Sequence, residues 1–174
     1  MSDHTSAPRT AVNPVPPCNG AIPYLVVRGA TDAITYYQRA LGAQLVFRLD
    51  APDGSVMHAE MTVGSARFML CEERPQYGAL SPLAVGGTST TAVVYVPDVD
   101  AQMAAAVAAG GRIGMPVADQ FWGDRSGQFT DPFGHQWMLS THLEDPTLEQ
   151  MRERLQAMFA QQPPQGCTGG PADA

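Results

Sequence analysis

His58 and Glu60 are the residues of this 174-residue chain best placed for chemistry. They stand two apart in an alternating run over residues 56–63. In a strand, Met57, Ala59, Met61 and Val63 then take one face and His58, Glu60 and Thr62 the other. A carboxylate beside an imidazole can orient it for general-base work. The same spacing fits a hydrogen-bonded polar pair that only lines a wet pocket, and the residues alone leave both readings open. At an offset of 70, Gln128 and Thr130 repeat the polar positions, so His58, Glu60 and Gln128 form a set able to gather about a metal or an acidic proton.

Trp122 and Arg125, with Phe121 and Tyr24, supply aromatic faces and a guanidinium. Such a wall suits a planar or anionic ligand, held by stacking and a bidentate Arg contact. The alternative for residues 122–125 is a tight connection packed by its own tryptophan, with Asp124 holding the loop. The remaining histidines are weaker: His4 lies near the N-terminus, His135 beside a turn over residues 131–134, and His142 after the last expected strand. The methionines at 57, 61, 69 and 138 read as adaptable packing.

These residues must be positioned by a unit that occurs twice. The segment from Leu25 to Gly42 recurs 68 positions later, so that Val26 matches Val94, Asp32 matches Asp100, Ala40 matches Ala108 and Gly42 matches Gly110. A strand-turn-helix unit that is duplicated usually pairs with its copy and encloses a site between them. The first half predicts strands over 22–27, 44–49, 56–63 and 67–72, with a helix over 31–41. The second predicts strands over 90–96, 112–117, 127–130 and 136–141, with a helix over 100–109. Gly42, Gly110 and Gly111 read as helix stops. No phosphate-binding glycine fingerprint follows a strand.

The expected organisation is one domain over residues 20–145, with modules at about 20–74 and 88–142 joined by a Pro- and Gly-rich surface connector over 75–87. An amphipathic helix over 146–160 follows, started by Thr147, whose stripe of Leu148, Met151, Leu155 and Phe159 must find a partner surface. Residues 1–19 and 161–174, rich in Pro, Gly and polar residues, read as disordered tails.

A formal net charge of -7 with only 10 Lys and Arg excludes a basic nucleic-acid surface. No stretch has the apolar length of a signal peptide or membrane span, so a cytoplasmic protein is the expectation, without a membrane partner. Three widely spaced cysteines and no CxxC suggest neither a disulfide framework nor a zinc site.

Three stretches, residues 22–42, 58–64 and 122–137, resemble the vicinal oxygen chelate superfamily of glyoxalases, extradiol dioxygenases and bleomycin-binding resistance proteins. The likeness covers about residues 21–158, and the third stretch with the helix after His142 resembles the PhnB-like branch. It implies an α+β fold of two tandem βαβββ modules whose mixed sheets curl around a pocket, often completed by a homodimer. It also implies a divalent metal, held on the first and last strand of each module, that polarises a substrate carbonyl. Carried onto this chain, those positions are Ile22, Met69, Thr91 and Met138, none of them a usual hard-metal ligand.

The resemblance therefore implies a protein that binds a small molecule between its modules, with no cofactor predicted and no metal ligands assigned. The ligand contacts expected are Tyr24, Met69, Thr91, Trp122, Arg125, Gln128 and Met138. The alternative is a glyoxalase-like lyase, an isomerase or a dioxygenase-type enzyme, with His58 and Glu60 as the catalytic pair and a relocated divalent metal beside them. A methyltransferase, a name given in this branch, would need a cofactor motif the sequence lacks.

Overall fold

Two copies of one βαβββ unit emerge in the computed structural model, which describes residues 21–161. The tails expected over residues 1–19 and 161–174, with His4, Cys18 and Cys167, lie outside the described residues, apart from Gln161 at a helix end. The first unit runs β1 (Tyr24–Val27), α1 (Ala30–Leu41), β2 (Gln44–Asp50), β3 (Val56–Val63) and β4 (Ala66–Glu72). The connector carries a 3-10 turn (Pro75–Tyr77) and a short helix, α2 (Pro82–Val85). The second unit runs β5 (Thr91–Tyr95), α3 (Val99–Ala108), β6 (Arg112–Asp119), β7 (Asp124–Thr130) and β8 (Gln136–His142), and α4 (Leu148–Gln161) ends the described chain.

Each unit forms one four-stranded mixed sheet, in the orders β1-β4-β3-β2 and β5-β8-β7-β6. The first strand pairs parallel with the last in each sheet, and the other pairings are antiparallel. The alternation in β3 holds from Ala59 onward, with Ala59, Met61 and Val63 buried, whereas Met57, expected on the same face, is 46% exposed and Val56 is buried in its place.

The two units join through their helices. α1 meets α3, Gln102 Nε2 donates to the Ala40 carbonyl at 2.6 Å, and the Tyr36 hydroxyl reaches the Ala106 carbonyl at 3.4 Å. Between them lies an aromatic core: Tyr37 meets Phe68 and Trp137 at ring-centroid distances of 5.3 and 5.4 Å. Trp137 is 1% exposed. The apolar stripe of α4 is open at its two ends, with Leu148 60% and Phe159 61% exposed, while Met151 and Leu155 are half-buried. Its start is a reciprocal cap, in which Gln150 N donates to Thr147 Oγ1 and Thr147 N to Gln150 Oε1. No helix among the described residues is long and apolar enough to cross a membrane.

Candidate functional site

The polar face of the first sheet is set by strand register. Glu60 lies between Phe47 of β2 and Met69 of β4, and Met69 in turn faces Tyr24 of β1. His58 faces Leu49. Tyr24, His58, Glu60 and Met69 therefore share one face, of which spacing had placed only His58 with Glu60.

Their partners differ from the expected dyad. His58 Nδ1 is hydrogen-bonded to the Tyr24 hydroxyl at 3.1 Å, with the two rings stacked at 5.5 Å and Phe47 on the other side at 5.3 Å. Glu60, 5% exposed, instead accepts from Arg67 Nη1. The reason is geometric. Residues two apart on a strand are separated by about 7 Å along the chain, whereas Arg67 is the diagonal neighbour of Glu60 on adjacent β4 and the Tyr24 ring reaches His58 across β4 from β1. Partial burial, with the Cys71 thiol as a second cause, pushes the Tyr24 hydroxyl up to about 12, so it stays protonated through the neutral range.

The second sheet carries the other expected contacts. Gln128 lies between Met115 and Met138, and Thr91 Oγ1 donates to Gln136 Oε1 at 3.2 Å. These residues are on a different sheet from His58 and Glu60, and no hydrogen bond links the two sets among the described residues. Arg125 turns toward the helix layer, donating to Asp100 at 2.7 and 2.8 Å and to Asp119 at 2.8 Å. Those bonds raise the guanidinium still further above its ordinary value and hold Asp100 below its own. Trp122 Nε1 donates to Asp124 Oδ2 at 3.0 Å. The stretch over residues 122–125 is thus held internally at both ends.

A second polar cluster was missed by sequence reasoning. Asp124, 3% exposed, accepts from the Tyr95 hydroxyl at 2.7 Å and pairs with His142 Nδ1 at 2.8 Å, while His142 Nε2 reaches Asp145 at 3.2 Å. Beside it Ser126 and Ser140, both buried, share a hydrogen bond of 2.8 Å. The signal was present as alternation of Asp124, Ser126, Gln128 and Thr130. It was lost because β7 was started at Gly127, although Asp124 already faces His142 in the β7–β8 ladder.

The cluster makes a pH prediction. Burial raises the Asp124 carboxyl, but hydrogen bonds from His142, Tyr95 and Trp122 more than offset this and hold it below its ordinary value. His142 is raised above its ordinary 6.5, first by its bond to Asp124. The contribution of His142 is therefore complete below 6.5 and is lost as pH rises through its raised value. Amide exchange at Leu143 and Glu144 should accelerate across that window, beyond the chemical rate, and the extra step should vanish in His142→Gln. An unchanged step in the variant would dismiss the pairing as its source.

Where the two units meet, a cavity of about 470 Å³ opens, lined by Ile22, Thr62, Arg67 and Phe68 of the first and Val93 and Trp137 of the second, among others. Its walls draw on both copies of the repeat.

A family model described as Glyoxalase/Bleomycin resistance protein/Dioxygenase superfamily matches residues 18–139. The chain belongs to that superfamily. Among relatives, Uncharacterized protein Rv0887c of Mycobacterium tuberculosis is 36% identical over 136 residues, covering 76% of this chain and 80% of its own. Among solved structures, protein PA1353 from Pseudomonas aeruginosa aligns with TM-score 0.58 and 27% identity, over 71% of this chain and 98% of its own. TioX from Micromonospora sp. ML1 aligns with TM-score 0.57 and 26% identity, over 74% and 100% respectively.

For the superfamily's first- and last-strand metal positions, the donor set here does not fit a hard divalent ion. Met69 sits against Tyr24, Met138 against Val93 and Thr91 against Gln136. Two thioethers and one threonine hydroxyl, itself bonded to Gln136, give such ions no adequate ligand set. Among the described residues no three of His, Cys, Asp and Glu stand together as a metal-holding group.

Proposed function

We propose that this chain is a small-molecule-binding member of the superfamily, of the PhnB-like branch, that holds its ligand in the cavity between the two βαβββ units without the usual metal site. One observation carries the reading: a cavity of about 470 Å³ whose lining comes from both units. That volume is in the range of roughly 300–1,000 Å³ typical of small-molecule sites. Its apolar walls suit the body of an organic ligand, and Thr62, Ser65 and Arg67 offer polar contacts at one side. A cytoplasmic homodimer is part of the same proposal. It is supported by the apolar residues left open on the first sheet and on α4, Tyr24 and Leu49 with Leu148 and Phe159.

The competing reading, a lyase, isomerase or dioxygenase with metal relocated to His58 and Glu60, rests on the accessible imidazole flanked by Tyr24 and Phe47. Metal content of untagged protein separates the two, together with thermal shifts on adding nickel, zinc, manganese and magnesium. Binding predicts no stoichiometric metal, no metal-induced shift and no loss of small-molecule binding in His58→Ala. Stoichiometric metal that disappears in His58→Ala would overturn the binding reading in favour of the enzyme.

A further inference from the structure

The cavity wall has one charged side chain among its described residues, and that side chain is a cation. Arg67 lines it, whereas Glu60, the partner of Arg67, is not part of the lining. The Glu60 carboxylate lies behind the guanidinium, with a side-chain exposure of 7% against 31% for Arg67. Among the described residues only Nη1 of Arg67 is engaged by protein, so Nε and Nη2 are the donors turned to a ligand. Thr62, paired with Arg67 across the β3–β4 ladder, adds a hydroxyl to the same wall. Ile22, Val93 and Phe68 provide apolar surface.

We infer that the ligand class of this cavity is an organic anion, with a carboxylate or similar oxyanion held by Arg67 and an apolar body lying between the units. The inference rests on the cavity-binding reading above and goes beyond it by naming the ligand's charge and the residue that reads it. Two donor N–H groups in a fixed plane match the two oxygens of a carboxylate, and a pair of charge-assisted bonds is the strong form of that contact. Glu60 fixes the fork and at the same time moderates its pull, because its own charge opposes that of the ligand.

The test uses two fluorescent probes of similar apolar body on the full chain: the anion 8-anilinonaphthalene-1-sulfonate and the neutral N-phenyl-1-naphthylamine. Val93→Trp, at a lining residue that is 53% exposed, fills the cavity mouth. It is expected to weaken both probes. Arg67→Gln should weaken the anion by about tenfold, the usual scale of one charge-assisted contact, and leave the neutral probe within about twofold. Glu60→Gln should shift the ratio the other way, toward the anion. The double variant E60Q/R67Q keeps an uncharged pair of similar size and guards against misfolding from a lone buried carboxylate; it should behave as Arg67→Gln does. If Val93→Trp weakens both probes while the anion-to-neutral ratio is the same in wild type, R67Q and the double variant, the anion inference is overturned and cavity binding stands. If Val93→Trp affects neither probe, the cavity reading falls and the inference with it.

Discussion

Asp131→Ala is expected to lower stability by about 2 to 6 kcal/mol, from two buried donors left without an acceptor at roughly 1–3 kcal/mol each. The carboxylate is 4% exposed and serves four donors. Oδ2 accepts from the Tyr37 hydroxyl at 2.7 Å and from Trp137 Nε1 at 2.9 Å, and Oδ1 accepts from the amides of Phe133 and His135, each at 2.9 Å. Two of those donors sit in the aromatic core, where no water can replace the carboxylate, so each would be left buried and unpaired. Burial first, and the Asp131 charge second, push the Tyr37 hydroxyl well above its ordinary value, consistent with a permanent donor. Asp131→Asn keeps the turn's acceptor but points an NH2 group at two other donors, so an intermediate loss is expected. Urea unfolding followed by far-UV circular dichroism measures both. A loss below about 1 kcal/mol for Asp131→Ala would show that the core tolerates the unpaired donors.

Gly123→Ala is the second large effect, at about 2 to 5 kcal/mol. Gly123 has φ +99°, a region costing a residue with a Cβ roughly 1–2 kcal/mol. An added methyl group would also collide with the Glu144 carbonyl and come within 2.6 Å of Pro146 Cδ. Overpacking of that kind adds about 1–3 kcal/mol. The Gly123 carbonyl accepts from the amides of Leu143 and Glu144 at 3.0 and 3.1 Å, so relief by backbone movement would open the end of β8. Trp122 emission should shift to the red and the melting temperature fall. A variant with the wild-type melting temperature would mean that the 143–146 segment moves aside at little cost.

Much of the fold was legible because its signals are local. β3 runs over the predicted residues, and Gly42 ends α1 at φ 62° as the expected stop. The second expected stop falls on two glycines, of which Gly110 follows the end of α3 at φ 115°. Ala109 caps α3, and Gly111 has ordinary backbone angles but admits no side chain, since a Cβ there would lie 2.8 Å from the Ala106 carbonyl and 2.9 Å from the Tyr36 hydroxyl. The Tyr36 part of that requirement comes from the other unit and leaves no mark within a short window of sequence. The site was less legible for the same reason. Spacing placed His58 and Glu60 on one face, but other strands of the sheet chose their partners, Tyr24 from β1 across β4 and Arg67 from β4. Arg67 was assigned to its strand without its face being read, and Asp124 was left in a loop although it lies directly opposite His142 in the ladder.

The two copies also begin their helices in different ways. Asp98 caps α3 from within, accepting from Ala101 N at 3.0 Å. α1 starts at left-handed Gly29 without a side-chain cap of its own, and its first amides, Gly29 N and Ala30 N, donate instead to Glu72 at 2.8 and 2.7 Å. Closing a three-residue turn is entropically cheap, whereas bringing residue 72 to residue 29 requires the intervening chain to be gathered first. The helix of the second copy therefore carries its start signal in its own first turn, while that of the first copy is completed only when its last strand has docked. Duplication preserved the architecture and separated the two halves in the order in which their helices can become fully capped.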